Sequence, residues 1–149
     1  MGKKLTMFTA AFTCAALVAC GSGNKGIKLG AKHKVGDDAT YSIEGADQTS
    51  NGKAIKVPEA YLKEKGYIAI HSDQGGAPGP VIGVSDLLPA GEAKNVRIKL
   101  TKPLTASAAV WPMIHIEDNG NTTYDFPAGD NPAKANDQVV VVMVDVTLR

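Results

Sequence analysis

The chain has 149 residues, 44% of them hydrophobic and only 5% aromatic, with sixteen basic against fifteen acidic side chains and a formal charge of +1. Near-neutrality without a block of like charge argues against a nucleic-acid partner, and the length suits one domain with its own core.

The N-terminus reads as an export signal. Lys3 and Lys4 precede "LTMFTAAFTCAALVA", fifteen residues without a charge. That is the apolar core of a signal peptide over residues 1–19, too short for an ordinary membrane-spanning helix. It ends in Leu17-Val18-Ala19-Cys20, which resembles the bacterial lipobox, where the peptide is cut before a cysteine whose thiol carries lipid. Gly2 with Thr6 also fits an N-myristoylation pattern, and a plain secretory signal is a third reading. Neither accounts for core length and lipobox together. A cysteine bearing two or more acyl chains, palmitate among them, anchors stably. Cys20 is therefore the expected lipidation site and the membrane its expected partner. Gly21, where an aspartate would retain a lipoprotein at the inner membrane, points to the outer membrane in a two-membrane host. Cys14 leaves with the signal and Cys20 carries lipid, so the mature chain has no thiol and relies on its core. Without Lys3 and Lys4, fourteen basic residues face fifteen acidic ones, a charge of −1.

Residues 20–38, with "GSGNKGIKLGAKHKVGDD", are rich in glycine and lysine and lack an apolar period. They read as the lipidated cysteine and a flexible tether, with His33 exposed on it. A single domain is expected over 39–149. "TYSIE" and "KAIKVPEA" are strand candidates, and "EAYLKEKG" could form one turn of helix. In "GYIAIHSD", Ile68 and Ile70 oppose Tyr67, Ala69 and His71. "PVIGVSDL" follows. In "AKNVRIKLTKPL", Val96, Ile98 and Leu100 oppose Arg97, Lys99 and Thr101, which predicts a strand with one wet face. "AAVWPMIHIE" and "QVVVVMVDVTLR" complete the set, the latter a single final strand with Val140, Val142, Val144, Val146 and Leu148 on one side. Pro58 and Pro112 imply edge positions or bulges. Turn clusters between these runs predict an all-β, antiparallel, immunoglobulin-like sandwich of about seven strands.

"MIHIEDNGNTTYDFP", residues 113–127, holds the densest polar chemistry. An EF-hand loop needs oxygen ligands at positions 1, 3 and 5 and glycine at 6. Counting from Glu117 places Thr122 at position 6, and anchoring Gly120 there puts His115 at position 1. Neither register works. Asn119-Gly120 instead suits a type I′ hairpin turn between "MIHIED" and "NTTYDF". A weak calcium site outside the EF-hand pattern is the alternative, with Glu117, Asp118, Asn119, Asn121 and Asp125 as oxygens and Asp130 and Asn131 near. Such extracellular sites bind at about 10⁻⁴–10⁻³ M. His71 and His115 lie opposite their strands' isoleucines, so neighbouring strands would bring both rings to one side, with Met113 near, as a copper or zinc candidate. A blue-copper centre needs a thiolate, which the mature chain lacks. "GVSDL" lacks the last glycine of a nucleophile elbow, and "GGAPGP" lacks the lysine of a phosphate loop. No catalytic residue is assigned and a non-enzyme is expected.

"DQTSNGKAIKV", "GYIAIHSD", "GVSDLLPAGEAKNVRIKLTKPL" and "MIHIEDNGNTTYDFP" together resemble a family of secreted or surface-anchored domains of unknown function, found in halophilic archaea and in bacteria. The resemblance runs from Ala46 to Arg149. His71, His115, Asn119, Gly120, Asn121, Tyr124, Asp125 and Phe126 fall on its motifs. Ile114 replaces the family's proline and Glu117 its aspartate. The resemblance implies a β-sandwich at the cell surface and brings no established activity. The sequence thus suggests a lipid-anchored envelope module with a binding or structural role, its protein or surface ligand unknown, and a metal-binding domain as the alternative.

Overall fold

A computed structural model of the chain describes residues 31–149. The signal peptide, Cys20 and the first part of the expected tether lie outside those residues. The chain runs through β1 (Lys32–Asp37), β2 (Tyr41–Ala46), β3 (Gln48–Ser50), β4 (Ala54–Leu62), β5 (Gly66–Asp73), β6 (Pro78–Val84), β7 (Gly91–Lys99), β8 (Ala108–Ile116), β9 (Lys134–Ala135), β10 (Gln138–Val139) and β11 (Val144–Leu148). A four-stranded sheet in the order β1-β2-β4-β7 packs against a five-stranded sheet, β3-β11-β8-β5-β6. The two form an all-β sandwich. The core between them holds Ile43, Ile55, Val57, Leu62, Ile68, Ile70, Ile98, Val110, Ile114, Val140 and Val144. These are the residues that period-two alternation assigns to inward faces.

Several expectations need correction. The expected strands, about seven, appear as eight longer ones joined by β3, β9 and β10, pieces of two or three residues where the chain changes sheet or turns. One pairing, β3 with β11, is parallel. The end of the expected tether is β1, paired antiparallel with β2 from Lys32↔Ala46 to Asp37↔Tyr41. Its lysines and glycine hide the pattern, since an edge strand needs only one partner's backbone and half an apolar face. His33 is accordingly half-buried in β1, and its Nε2 has no hydrogen-bond partner among the described residues. Glu59 to Leu62 continue β4 rather than turning into a helix. The valine-rich end is not one strand either. Gln138–Val139 belong to a hairpin with β9, and the regular β11 ladder begins only at Val144.

Both prolines sit in interior strands, at interruptions of one ladder. The β4–β7 pairing steps from Val57↔Val96 to Glu59↔Lys94, passing over Pro58. Beside it, the Gln48 side chain takes the place of a strand, donating to the Lys56 carbonyl at 3.0 Å and accepting from its N–H at 3.0 Å. Pro112 pairs regularly with Ile70 of β5. On its β11 side the ladder has loosened, and Val142 N–H reaches the Pro112 carbonyl at 3.0 Å. Each proline thus stands where a missing N–H leaves no ladder bond unmade.

Candidate functional site

β5 and β8 lie side by side, with Tyr67↔His115, Ala69↔Met113 and His71↔Trp111 as facing pairs on the side away from the core. His71 and His115 stand two rungs apart and lean toward each other across the small Ala69. Their rings lie end to end, with centroids 5.6 Å apart and planes 17° from parallel. The β5–β6 ladder shifts register on both sides of His71, a bulge that re-aims this side chain.

Both rings are held from behind. The His71 Nδ1 lies 2.7 Å from the Gly79 carbonyl, and the His115 Nδ1 lies 2.7 Å from the Asp130 carbonyl. A carbonyl oxygen only accepts, so each Nδ1 carries the proton. In neutral rings each Nε2 is then a bare lone pair, and the two Nε2 atoms face each other at 3.4 Å. Moving a proton to either Nε2 would set the Nδ1 lone pair of that ring against a carbonyl. The pair therefore leaves room for one electrophile between its Nε2 atoms. A proton is a poor candidate at neutral pH. Burial pushes the His115 imidazole down to about 4, the Asp130 carbonyl works against that shift, and His71 adds to it.

The covering layer is the segment 117–131. Tyr124 and Phe126 meet the His115 ring edge-to-face at 5.4 and 4.9 Å, and Tyr124 meets Tyr67 at 5.5 Å. His71 is 5% exposed and His115 fully buried. This segment is not the expected hairpin. Gly120 has φ +76°, but Asn119 is not in the left-handed region that a type I′ turn requires of both residues, and "NTTYDF" forms no strand. The Glu117 carboxylate organises it instead, accepting the N–H groups of Asn119, Gly120 and Thr122 at 3.3, 2.7 and 2.9 Å. Burial raises the Glu117 carboxyl. The Gly120 and Thr122 amides and Lys65 outweigh that and hold it below the usual glutamate value. The turn with two left-handed residues is Asn136-Asp137, between β9 and β10, with φ of +50° and +63°.

The other expected oxygens are engaged in the same way. Asp118 accepts from the Asp130 and Asn131 N–H groups at 2.9 and 3.3 Å and from the Asn131 amide at 2.7 Å. Asp125 accepts the side-chain amides of Asn119, at 2.9 and 3.0 Å, and Asn121, at 2.8 Å. Gly129 leaves the space that the Asn119 amide fills, where a Cβ would clash. Among the described residues, no three His, Cys, Asp or Glu side chains converge on one point.

Three residues that the sequence named, Asp130 as a nearby oxygen, Tyr67 by strand parity and Tyr124 on the family motif, take parts here that it did not assign. Asp130 is fully buried at φ +52°, with Oδ2 accepting the Asp125 N–H at 2.8 Å and Oδ1 without a partner among the described residues. Burial pushes its carboxyl above the usual range. The Tyr67 and Tyr124 hydroxyls are likewise buried and unpartnered among the described residues, and burial raises both phenols.

Two relatives from Haloarcula hispanica, Cell surface glycoprotein 1 and Cell surface glycoprotein 2, are 38% and 39% identical to the chain over 112 residues. The match takes in 75% of this chain but 12% of each relative, so the chain spans about an eighth of the curated proteins it matches. No solved structure matches the chain. The model of a family described as a domain of unknown function matches residues 41–147, which hold both histidines and the covering segment. On that match the chain belongs to the DUF7282 family.

Proposed function

We propose that the chain is a lipid-anchored, non-catalytic module of the cell envelope whose sandwich holds a transition-metal ion, copper(I) or zinc, between His71 and His115. The observation that carries the metal is the 3.4 Å separation of two Nε2 lone pairs, each ring fixed by its own Nδ1–H bond to a carbonyl. At metal–nitrogen bonds of about 2.0–2.1 Å, two tetrahedral ligands stand about 3.3–3.4 Å apart, a separation the two nitrogens already have, and the rings would tilt to aim both lone pairs at a point beside the line that joins them. Backbone carbonyls that fix ring and tautomer are the usual support for metal-bound imidazoles. Met113 occupies the rung between the two histidines on the same face, and a thioether there would favour copper(I). Calcium at 117–125 fits less well, because its oxygens would have to give up the N–H donors that hold the segment together. The envelope location is supported by similarity to cell surface glycoproteins, and the anchor by the lipobox at Cys20.

Metal-stripped protein melted with copper(I), zinc or calcium added singly tests this. At about 100 times its Kd, a bound ion stabilises by about 2.7 kcal/mol. We expect that gain with copper(I) or zinc, and its loss in His71→Ala and His115→Ala. No shift with either metal, or a shift that survives both substitutions, overturns the site. Lipid labelling that persists in Cys20→Ala overturns the anchor.

A further inference from the structure

An open cavity lies away from the paired histidines, where the chain leaves β2 of one sheet and enters the other as β3. It has a volume of about 680 Å³, within the range of small-ligand sites. Four cations line it, Lys32, Lys56, Arg97 and Arg149, and no acidic residue does. Lys32 is neutralised by Glu44 at 2.8 Å. Among the described residues, no carboxylate lies within ion-pair distance of Lys56, Arg97 or Arg149. For a chain of almost balanced charge, this is a local concentration.

The walls are built rather than incidental. The Gln48 amide is tied to both backbone groups of Lys56. The Ser50 hydroxyl bonds to the Ala54 carbonyl at 3.0 Å, and the Arg149 N–H bonds to the Ser50 carbonyl at 3.2 Å. Asn95 lines the cavity in the middle of β7 at φ +54°, across from Pro58. A left-handed asparagine inside a strand is strained by roughly 1–3 kcal/mol, and such strain gathers at binding sites.

We propose that this cavity binds an acidic saccharide, a sugar carrying carboxylate or sulfate groups. Arg97 and Arg149 supply forked donors for the acidic groups and Lys56 a point charge. Thr49 and Asn95 offer hydroxyl and amide partners for sugar hydroxyls. The cavity is far larger than a single inorganic anion needs. It has no aromatic side chain, so it lacks the stacking platform a nucleic-acid strand would use. A lipid surface would be met by a convex basic patch rather than by a concave, amide-lined one.

The purified protein is titrated calorimetrically with a digalacturonate, a neutral disaccharide, inorganic sulfate and vesicles containing phosphatidylglycerol. Binding of the digalacturonate alone, weakening with added salt, is expected. Arg97→Met and Arg149→Met should each weaken it by about tenfold or more, the loss of one charge-assisted contact. Both residues are exposed, so melting temperatures and the metal response should stay unchanged, and His71→Ala should leave sugar binding intact. Equal binding of the neutral sugar, binding of vesicles or sulfate only, or no binding of the digalacturonate overturns the proposal.

Discussion

β5 and β7 carry similar alternation and end in different surroundings. In β7, Arg97 and Lys99 point away from the core and are exposed. In β5, the residues pointing away from the core are Tyr67, Ala69 and His71, and each is at most 5% exposed. One sheet meets water and the other meets the 117–131 segment. The wet face is covered by a chain of ion pairs, Lys34–Glu59, Glu59–Lys94 and Lys94–Glu92. The covered face is built from rings, imidazoles and saturated carboxylates. Polar groups stay where water can solvate them, and under the covering segment each one needs a named partner. Three of the five buried atoms that lack one among the described residues, Asp130 Oδ1 and the Tyr67 and Tyr124 hydroxyls, lie beside the histidine pair, and the other two, His33 Nε2 and Asp47 Oδ2, lie elsewhere.

An aspartate introduced on each face separates the two most strongly. Ala69→Asp would bury an unpaired charge and should cost about 4 kcal/mol or more, enough to unfold a marginal domain. Lys99→Asp should stay within about 0.5 kcal/mol. Urea unfolding of the two variants measures the difference, and equal costs would show that the segment does not seal β5.

Acid should act next, most strongly on the covered face. The folded His115 titrates at about 4 against 6.5 when free. Between those values the unfolded chain binds the proton and the folded chain does not, so the histidine's contribution falls as pH drops from about 6.5 to 4 and is constant below, where Glu117 and Asp118, both held below their usual values, continue the loss. The span corresponds to about 3 kcal/mol. Asp130, whose carboxyl is raised by burial, works in the opposite direction. The difference between metal-free wild type and His115→Gln across this window isolates the histidine. A parallel pH dependence in both would sink the reading.

Smaller effects sharpen the contrast. Tyr124→Phe removes a buried hydroxyl without a partner but keeps the ring on His115, so thermal unfolding should find it unchanged or up to about 1 kcal/mol more stable. A clear loss would mean that the hydroxyl is satisfied after all. On the wet face, Glu92→Gln breaks the 2.8 Å pair with Lys94 and should move the midpoint by less than about 0.5 kcal/mol.

Much of the architecture was legible because strand alternation reports directly on which side chains leave water. Ile68, Ile70, Ile98 and Ile114 were placed in the core by parity alone, and the same parity put His71 and His115 on one outward face. The strand β1 was not legible, since glycine and lysine can form an edge without announcing it. Nor was the 117–131 segment, where Asn119-Gly120 looked like a local turn. Its conformation follows from the Glu117 carboxylate gathering three amides, and from Asp118 reaching twelve residues along the chain to the Asp130 N–H.

The sequence by itself determined the all-β class, the two-faced strands and the identity of the side chains that could meet. Those properties depend on neighbours along one strand. Tertiary structure decided which outward face would be covered, which nitrogen of each histidine would carry its proton, and that two lone pairs would stand 3.4 Å apart. These depend on the carbonyls of Gly79 and Asp130, eight and fifteen residues away from their histidines, and no pattern within a strand encodes a partner that arrives from another part of the chain.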